Sequence, residues 1–129
     1  MSANSLTRAI VQYLNFNGVV AWNVYNGGVY DPKLKKYRKN PQHKHGVFDI
    51  CGFTKKGGRH VEIEIKIGRD KMSDHQRRHF IELSDAGALV FVARDFDSFE
   101  SWFKKQENEQ PTNRTKQKNI ATEFGSGIA

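Results

Sequence analysis

Across residues 60–67 (HVEIEIKI) apolar and charged side chains alternate without a break. In an extended strand, Val61, Ile63, Ile65 and Ile67 then point one way and Glu62, Glu64 and Lys66 the other. Neighbours on one face stand about 6.6 Å apart, so two carboxylates and an ammonium form a row. Upstream, residues 46–54 (GVFDICGFT) read as a partner strand, joined to the first by Lys55-Lys56-Gly57-Gly58 as a hairpin turn. If that turn centres between Lys56 and Gly57, Asp49 stands opposite Glu64; centred one residue later, Asp49 stands opposite Lys66. Both registers place Asp49 on the charged face. A turn centred on a single residue would bury Asp49 among Ile63 and Ile65, and an unpaired carboxylate there is disfavoured. The favoured parity also sends Phe48 and Ile50 to the apolar side.

Two carboxylates at cross-strand distance repel each other and suit a hard divalent cation that takes oxygen ligands and waters. Such a cation polarises a phosphate and lowers the pKa of a bound water, which are the two needs of phosphodiester hydrolysis. A lysine beside it can orient the water or stabilise charge on phosphorus. The plainer reading is a solvated face with a cross-strand Glu–Lys pair worth a few tenths of a kcal/mol. Asp49 within an apolar strand, where β-propensity disfavours it, weighs towards the first reading. Glu62 is expected on the same face as a solvated side chain.

Other residues offer chemistry less directly. His75 and His79 are spaced i, i+4, yet no Glu follows His75 as zinc hydrolases require, so both are expected to face phosphate or solvent. A zinc-organised binding protein is kept as a separate possibility on that pair. His43 and His45 lie in a basic stretch and add to its charge at lower pH. A ββα-metal nuclease would use such a His, but its partner on a helix is not evident. Cys51 shares the parity of Asp49; hairpin arithmetic sets no His beside it, which favours a small buried hydrophobe over a nucleophile. Trp22, Tyr25, Tyr30 and Tyr37 flank the basic stretch and could stack on unpaired bases, with core packing the competing role for Trp22 and Tyr25.

The elements that must position these residues can be read around them. Leu6, Ala9, Ile10, Tyr13 and Leu14 recur at helical spacing after Ser5 or Asn4 as N-cap, with Gly18 as the stop. Residues 19–25 (VVAWNVY) form a strand running into Asn26-Gly27-Gly28. Residues 31–45 lose apolar character and form a long basic loop. Ser73 and Gln76 make a capping box that opens a helix ending near Gly87; residues 89–93 (LVFVA) form a buried strand. Asp97 with Glu100 caps a last helix. The order α-β-β-β-α-β-α predicts an α/β domain with a mixed sheet. Residues 1–110 are expected to form one domain, followed by a polar, flexible tail over 111–129.

The chain has 129 residues and a net charge of +7, from 21 Lys and Arg against 14 Asp and Glu. That surplus favours a polyanionic partner, nucleic acid before anionic membrane. Its candidate phosphate contacts are Lys33, Lys35, Lys36, Arg38, Lys39 and Lys44, with Arg69, Lys71, Arg77 and Arg78 as a second bank. A single cysteine excludes an intramolecular disulfide, and a cytoplasmic setting is expected in the absence of a leader-like start.

Asp49, then Glu64-Ile65-Lys66, resembles the D-Xn-(D/E)-X-K signature of the PD-(D/E)XK nuclease superfamily. The longer pattern is more specific: GVFD, a hairpin, EIK, a short loop, Ser73-x-x-Gln76 opening a helix, and a G-x-x-V strand. Over residues 4–96 it resembles the VRR-NUC family. The resemblance implies a restriction-endonuclease-like αβββαβ core, a mixed central sheet flanked by helices. It implies Mg²⁺ or Mn²⁺ held by Asp49, Glu64 and the backbone carbonyl of Ile65, with Lys66 as catalytic lysine and Gln76 beside the site. It also implies an endonuclease acting on branched or structured DNA, resembling Holliday-junction resolvases, in the cytoplasm of a bacterium or a virus-infected cell. Cutting a junction calls for two sites, hence a homodimer. Two departures stand out: Phe48 replaces the family's usual proline, and the first helix has no acidic residue where relatives commonly carry a metal-binding Glu, a loss that Glu62 on the charged face could offset, although a solvated Glu62 is the favoured reading. A non-catalytic DNA-binding module that keeps the fold is the alternative reading.

Overall fold

The computed structural model describes residues 1–24, 29–38 and 44–108. The chain opens with helix α1 (Ala3–Phe16), whose N-cap is Ser2 rather than Asn4 or Ser5: the Ser2 side chain accepts the Ser5 N–H at 3.1 Å. Leu6, Ile10 and Leu14, spaced i, i+4, are fully buried on one stripe of this helix. Asn17 caps its end and Gly18 takes the left-handed φ of 83° that turns the chain into strand β1 (Val19–Asn23).

Strands β4 (Ile50–Thr54) and β5 (His60–Ile65) form the predicted hairpin, and Ile50 pairs with Ile63 and Cys51 with Glu62. This is the register of a turn centred between Lys56 and Gly57, which sets Asp49 across from Glu64 one step beyond the ladder. Strand β5 ends at Ile65, so Ile67 falls in the following turn, where its carbonyl accepts the Asp70 N–H at 3.2 Å. Helix α2 (Asp74–Asp85) then returns the chain to strand β6 (Leu89–Ala93), parallel to β5. The sheet order is β1-β4-β5-β6, mixed, with β1 antiparallel to β4. With α1 before the sheet and α2 crossing between β5 and β6, this is the αβββαβ core expected of a restriction-endonuclease-like fold.

Both faces of β5 are covered. Val61 and Ile63 are fully buried on the side that meets α1, while Glu62 and Glu64 lie under α2 at 3% and 2% exposure. The predicted parity holds, but Glu62 is not solvated. Alternation separates the two faces of a strand; it does not say what packs on the polar one. Phe48 is also buried, although not beside Ile50. It precedes the strand, and its ring meets those of His79 and Phe80 on α2 at centroid distances of 5.4 and 6.4 Å.

Part of the expected basic loop is a two-stranded ribbon, β2 (Val29–Asp31) with β3 (Lys36–Arg38). The Asp31 carboxylate accepts the Lys33 N–H at 2.9 Å, and Lys35 takes a positive φ of 51°, which closes the tight turn. Strands of three residues are too short to show a hydrophobic alternation, so the ribbon is not visible in the sequence.

Residues 1–96 form one compact unit and a second begins at Asp97. Residues 96–108 are helical (α3), with Phe99, Trp102 and Phe103 clustered at centroid distances of 6.1 to 6.5 Å. No described helix is long and apolar enough to cross a membrane.

Candidate active site

Where β4 begins, two backbone amides and two carboxylates lock the hairpin crosswise. The Asp49 N–H donates to Glu64 Oε1 at 3.2 Å, and the Ile65 N–H donates to Asp49 Oδ2 at 3.0 Å. Each acid is therefore oriented by the backbone of the opposite strand, so neither side chain is free to swing away. It is the amide of Ile65, the residue expected to offer its carbonyl, that meets Asp49.

Burial pushes the Glu64 carboxyl up to about 8, and the hydrogen bond it shares with Asp49, with that neighbour's charge, pushes the same way. Lys66 Nζ, 3.7 Å from Glu64 Oε2 and largely buried, pulls in the opposite direction without cancelling the rise. The backbone of Lys66 stays tied to the sheet, its N–H donating to the Ala93 carbonyl at 3.0 Å. Asp49, Glu64 and Lys66 are thus gathered as the sequence predicted.

Gln76 joins them from α2. Its backbone N–H donates to the Ser73 hydroxyl at 3.1 Å, and its side-chain oxygen accepts the Ser73 N–H at 3.0 Å. With the oxygen engaged in this capping box, the amide nitrogen is directed at Glu64 Oε2 and donates to it. Capping and a place at the site are therefore one arrangement. Gly46 makes it sterically possible: at φ +85°, a Cβ there would lie 2.4 Å from the His75 carbonyl oxygen and 2.9 Å from the Gln76 nitrogen.

Beside this cluster, Glu62 anchors a second one that sequence reasoning missed. Its Oε1 accepts the Phe48 N–H at 3.1 Å and faces His79 Nε2 at 2.7 Å; its Oε2 faces His60 Nε2 at 2.7 Å. Burial alone would raise the Glu62 carboxyl, but these hydrogen bonds outweigh it and hold the group below its ordinary range. Lys44 Nζ lies 3.0 Å from His79 Nδ1 and can only donate. That assigns the His79 proton to Nε2, pointing at Glu62. His79 is therefore buried and committed, not facing solvent, whereas His75 is exposed and stacks on His45 at 5.0 Å. The two histidines do not converge on a shared ligand.

Cys51 does have a histidine nearby. The ligand atoms of Cys51, His60 and Glu62 all lie within 4.8 Å of one another. Cys51 opposes Glu62 directly, and His60 reaches it from the diagonal position on the same face, which pairwise hairpin arithmetic overlooks. Burial, then the charge of Glu62, pushes the Cys51 thiol up to about 12, so it is no thiolate nucleophile.

Of the candidate phosphate contacts, Lys33, Lys35 and Lys36 are exposed on the ribbon, and Arg69, Lys71 and Arg78 are exposed around the start of α2. Arg38 lies on β3; Lys39, His43 and Tyr25 fall outside the described residues. Lys44 pairs with Glu82 at 3.0 Å, and Arg77 donates to Asp74 and to the Met72 carbonyl. Tyr30 and Tyr37 are exposed and pack edge to face at 5.3 Å, and Trp22 is exposed against Phe53 at 6.3 Å.

Residues 7–96 match the family model of the VRR-NUC domain. The chain belongs to the VRR-NUC family. VRR-NUC is a nuclease domain, a class of hydrolase and endonuclease, which implies DNA as partner and a divalent metal. The donor set fits such an ion: two oxygen-bearing side chains pressed together, one buried enough to hold a proton towards neutral pH, with a lysine at their edge. No curated protein matches the chain. The VRR-NUC match and the crossed hairpin occupy the same stretch.

Proposed function

We propose that the chain is a Mg²⁺- or Mn²⁺-dependent endodeoxyribonuclease whose metal ligands are Asp49, Glu64 and the Ile65 carbonyl, with Lys66 and Gln76 completing the catalytic group. The observation that carries this reading is the convergence of Asp49, Glu64, Lys66 and Gln76 at one end of β5 within a nuclease-family domain. When bound, the cation would polarise the scissile phosphate and lower the pKa of a water.

The chain's own residues supply the rest. The crossed amide bonds keep the carboxylates of Asp49 and Glu64 facing each other before any ligand arrives, so little ordering remains to be done on binding. Gln76 donates to Glu64 Oε2 and holds that carboxylate against rotation. Lys66, an ammonium with restricted access to solvent, orients the attacking water or stabilises the negative charge that grows on the phosphorane oxygens. The lysines of the ribbon and Arg69, Lys71 and Arg78 contact DNA backbone, which provides affinity without reading sequence. Branched or structured DNA is the proposed substrate, on the family's likeness to junction resolvases, and a homodimer supplies the second site that a junction needs.

Nicking of supercoiled and four-way DNA with Mg²⁺ or Mn²⁺ tests the reading, wild type beside Asp49→Asn and Lys66→Ala. Cutting by wild type alone is the expected result. DNA bound but left intact by the wild type would favour the non-catalytic module, a reading the acid-free first helix allows. Equal cutting by Lys66→Ala would remove the assignment of that lysine.

A further inference from the structure

Glu62, His60 and Cys51 take no part in that mechanism, yet they bring three different ligand types to one point. Their donor atoms lie within 4.8 Å of one another. Glu62 and Cys51 are directly opposed across β4 and β5, and His60 is two residues from Glu62 on the same face. The two oxygens of Glu62 have separate duties. Oε1 is held by the Phe48 N–H and by His79, while Oε2 is left facing His60 and the cluster. Ligating carboxylates in metal sites are commonly steadied in this way by hydrogen bonds on their far oxygen. The geometry is rigid behind the cluster and open in front: Glu62 is 3% exposed, whereas His60 is exposed and Cys51 half-buried.

We propose that Cys51, His60 and Glu62 form a second metal site, one for a thiophilic divalent cation of the zinc class, with water in the fourth position. A sulfur, an imidazole nitrogen and one carboxylate oxygen match the ligands and tetrahedral preference of Zn²⁺. They do not suit Mg²⁺, which takes oxygen ligands in octahedral geometry. The two sites therefore select different ions although Glu62 and Glu64 are neighbours on one strand face. On binding, the thiol proton passes to bulk water, and His60 exchanges its contact with Glu62 for the metal. The thiolate and carboxylate charges then balance the dication. The ion would staple β4 to β5 beside the residues that aim Asp49.

Cobalt substitution of the full chain reads this directly, because Cys51 is the single cysteine and a thiolate–cobalt charge-transfer band can come from nowhere else. The band is expected in wild type and in Asp49→Asn, and it should survive excess Mg²⁺. His60→Ala, an exposed and structurally mild change, should weaken cobalt affinity by at least about tenfold. Zn²⁺ should raise the melting temperature of wild type and Asp49→Asn but not of Cys51→Ser or His60→Ala. Cobalt binding with no thiolate band, as binding through the stacked His45 and His75 would give, overturns the proposal. An affinity unchanged in both His60→Ala and Glu62→Gln overturns it too. None of these readouts involves DNA cleavage, so this site and the nuclease assignment can fail separately.

Discussion

A proton on Glu64 relieves its repulsion with Asp49, and that places a pH dependence on a single side chain. Its carboxyl is raised from 4.5 to about 8 by burial first and by Asp49 second. The folded protein thus holds this proton over a range in which the unfolded chain has lost it. The stabilising contribution is complete below pH 4.5, declines as pH rises and is gone once pH passes about 8. With metal removed by a chelator, the melting temperature of wild type should fall from pH 5.5 to pH 8.5 by more than that of Glu64→Gln, whose amide cannot ionise. Parallel curves would contradict the assignment. Metal binding requires the deprotonated carboxylate, so the stabilisation by Mn²⁺ should grow over the same interval in wild type.

At the scale of elements, the start of α2 is the joint that brings Gln76 to Glu64. Ser73→Ala removes half of the capping box and should cost about 1 kcal/mol in chemical denaturation, with nicking reduced only mildly, because the Gln76 backbone loses the Ser73 hydroxyl while its side chain keeps the N–H of residue 73. Gly46→Ala should do more harm. Its left-handed φ costs an alanine about 1–2 kcal/mol by itself, and the new methyl meets the His75 carbonyl. Displacement of the helix start should make Gly46→Ala the slower nuclease of the two at equal folded fraction. The hairpin, α2 and the buried strand β6 are all legible in the sequence because each carries its own periodicity or cap. The β2–β3 ribbon is not, being too short and too polar to show a pattern. Nor is the coverage of Glu62 by α2, since helix packing depends on residues distant in sequence such as His79 and Phe80.

For the molecule as a whole, the charge of +7 and the exposed lysines and arginines predict that DNA affinity falls linearly with salt on a double-logarithmic plot. Replacing Lys71 or Arg78 by Ala should lower the slope by about one each and weaken all DNA sequences alike. Lys44→Ala should behave differently. Its ammonium already sits between His79 and Glu82, so its loss should change stability as well as binding. A salt slope unaffected by Lys71→Ala and Arg78→Ala together would remove that bank from the DNA interface.

The sequence alone determined the parity of the β4–β5 hairpin, and with it the placing of Asp49 beside Glu64 and Lys66. Strand alternation and turn length are local rules, and a carboxylate on the wrong face would be too costly to tolerate. The Ser73–Gln76 cap was equally local. Only the tertiary structure decided what covers the charged face. The packing of α2 there covers Glu64, whose carboxyl burial and then Asp49 push up to about 8, brings the Gln76 amide to it and makes Glu62 the buried centre of a cluster with His79, His60 and Cys51. Those outcomes depend on desolvation and on contacts between residues far apart in the chain, and no periodicity within a single segment encodes them.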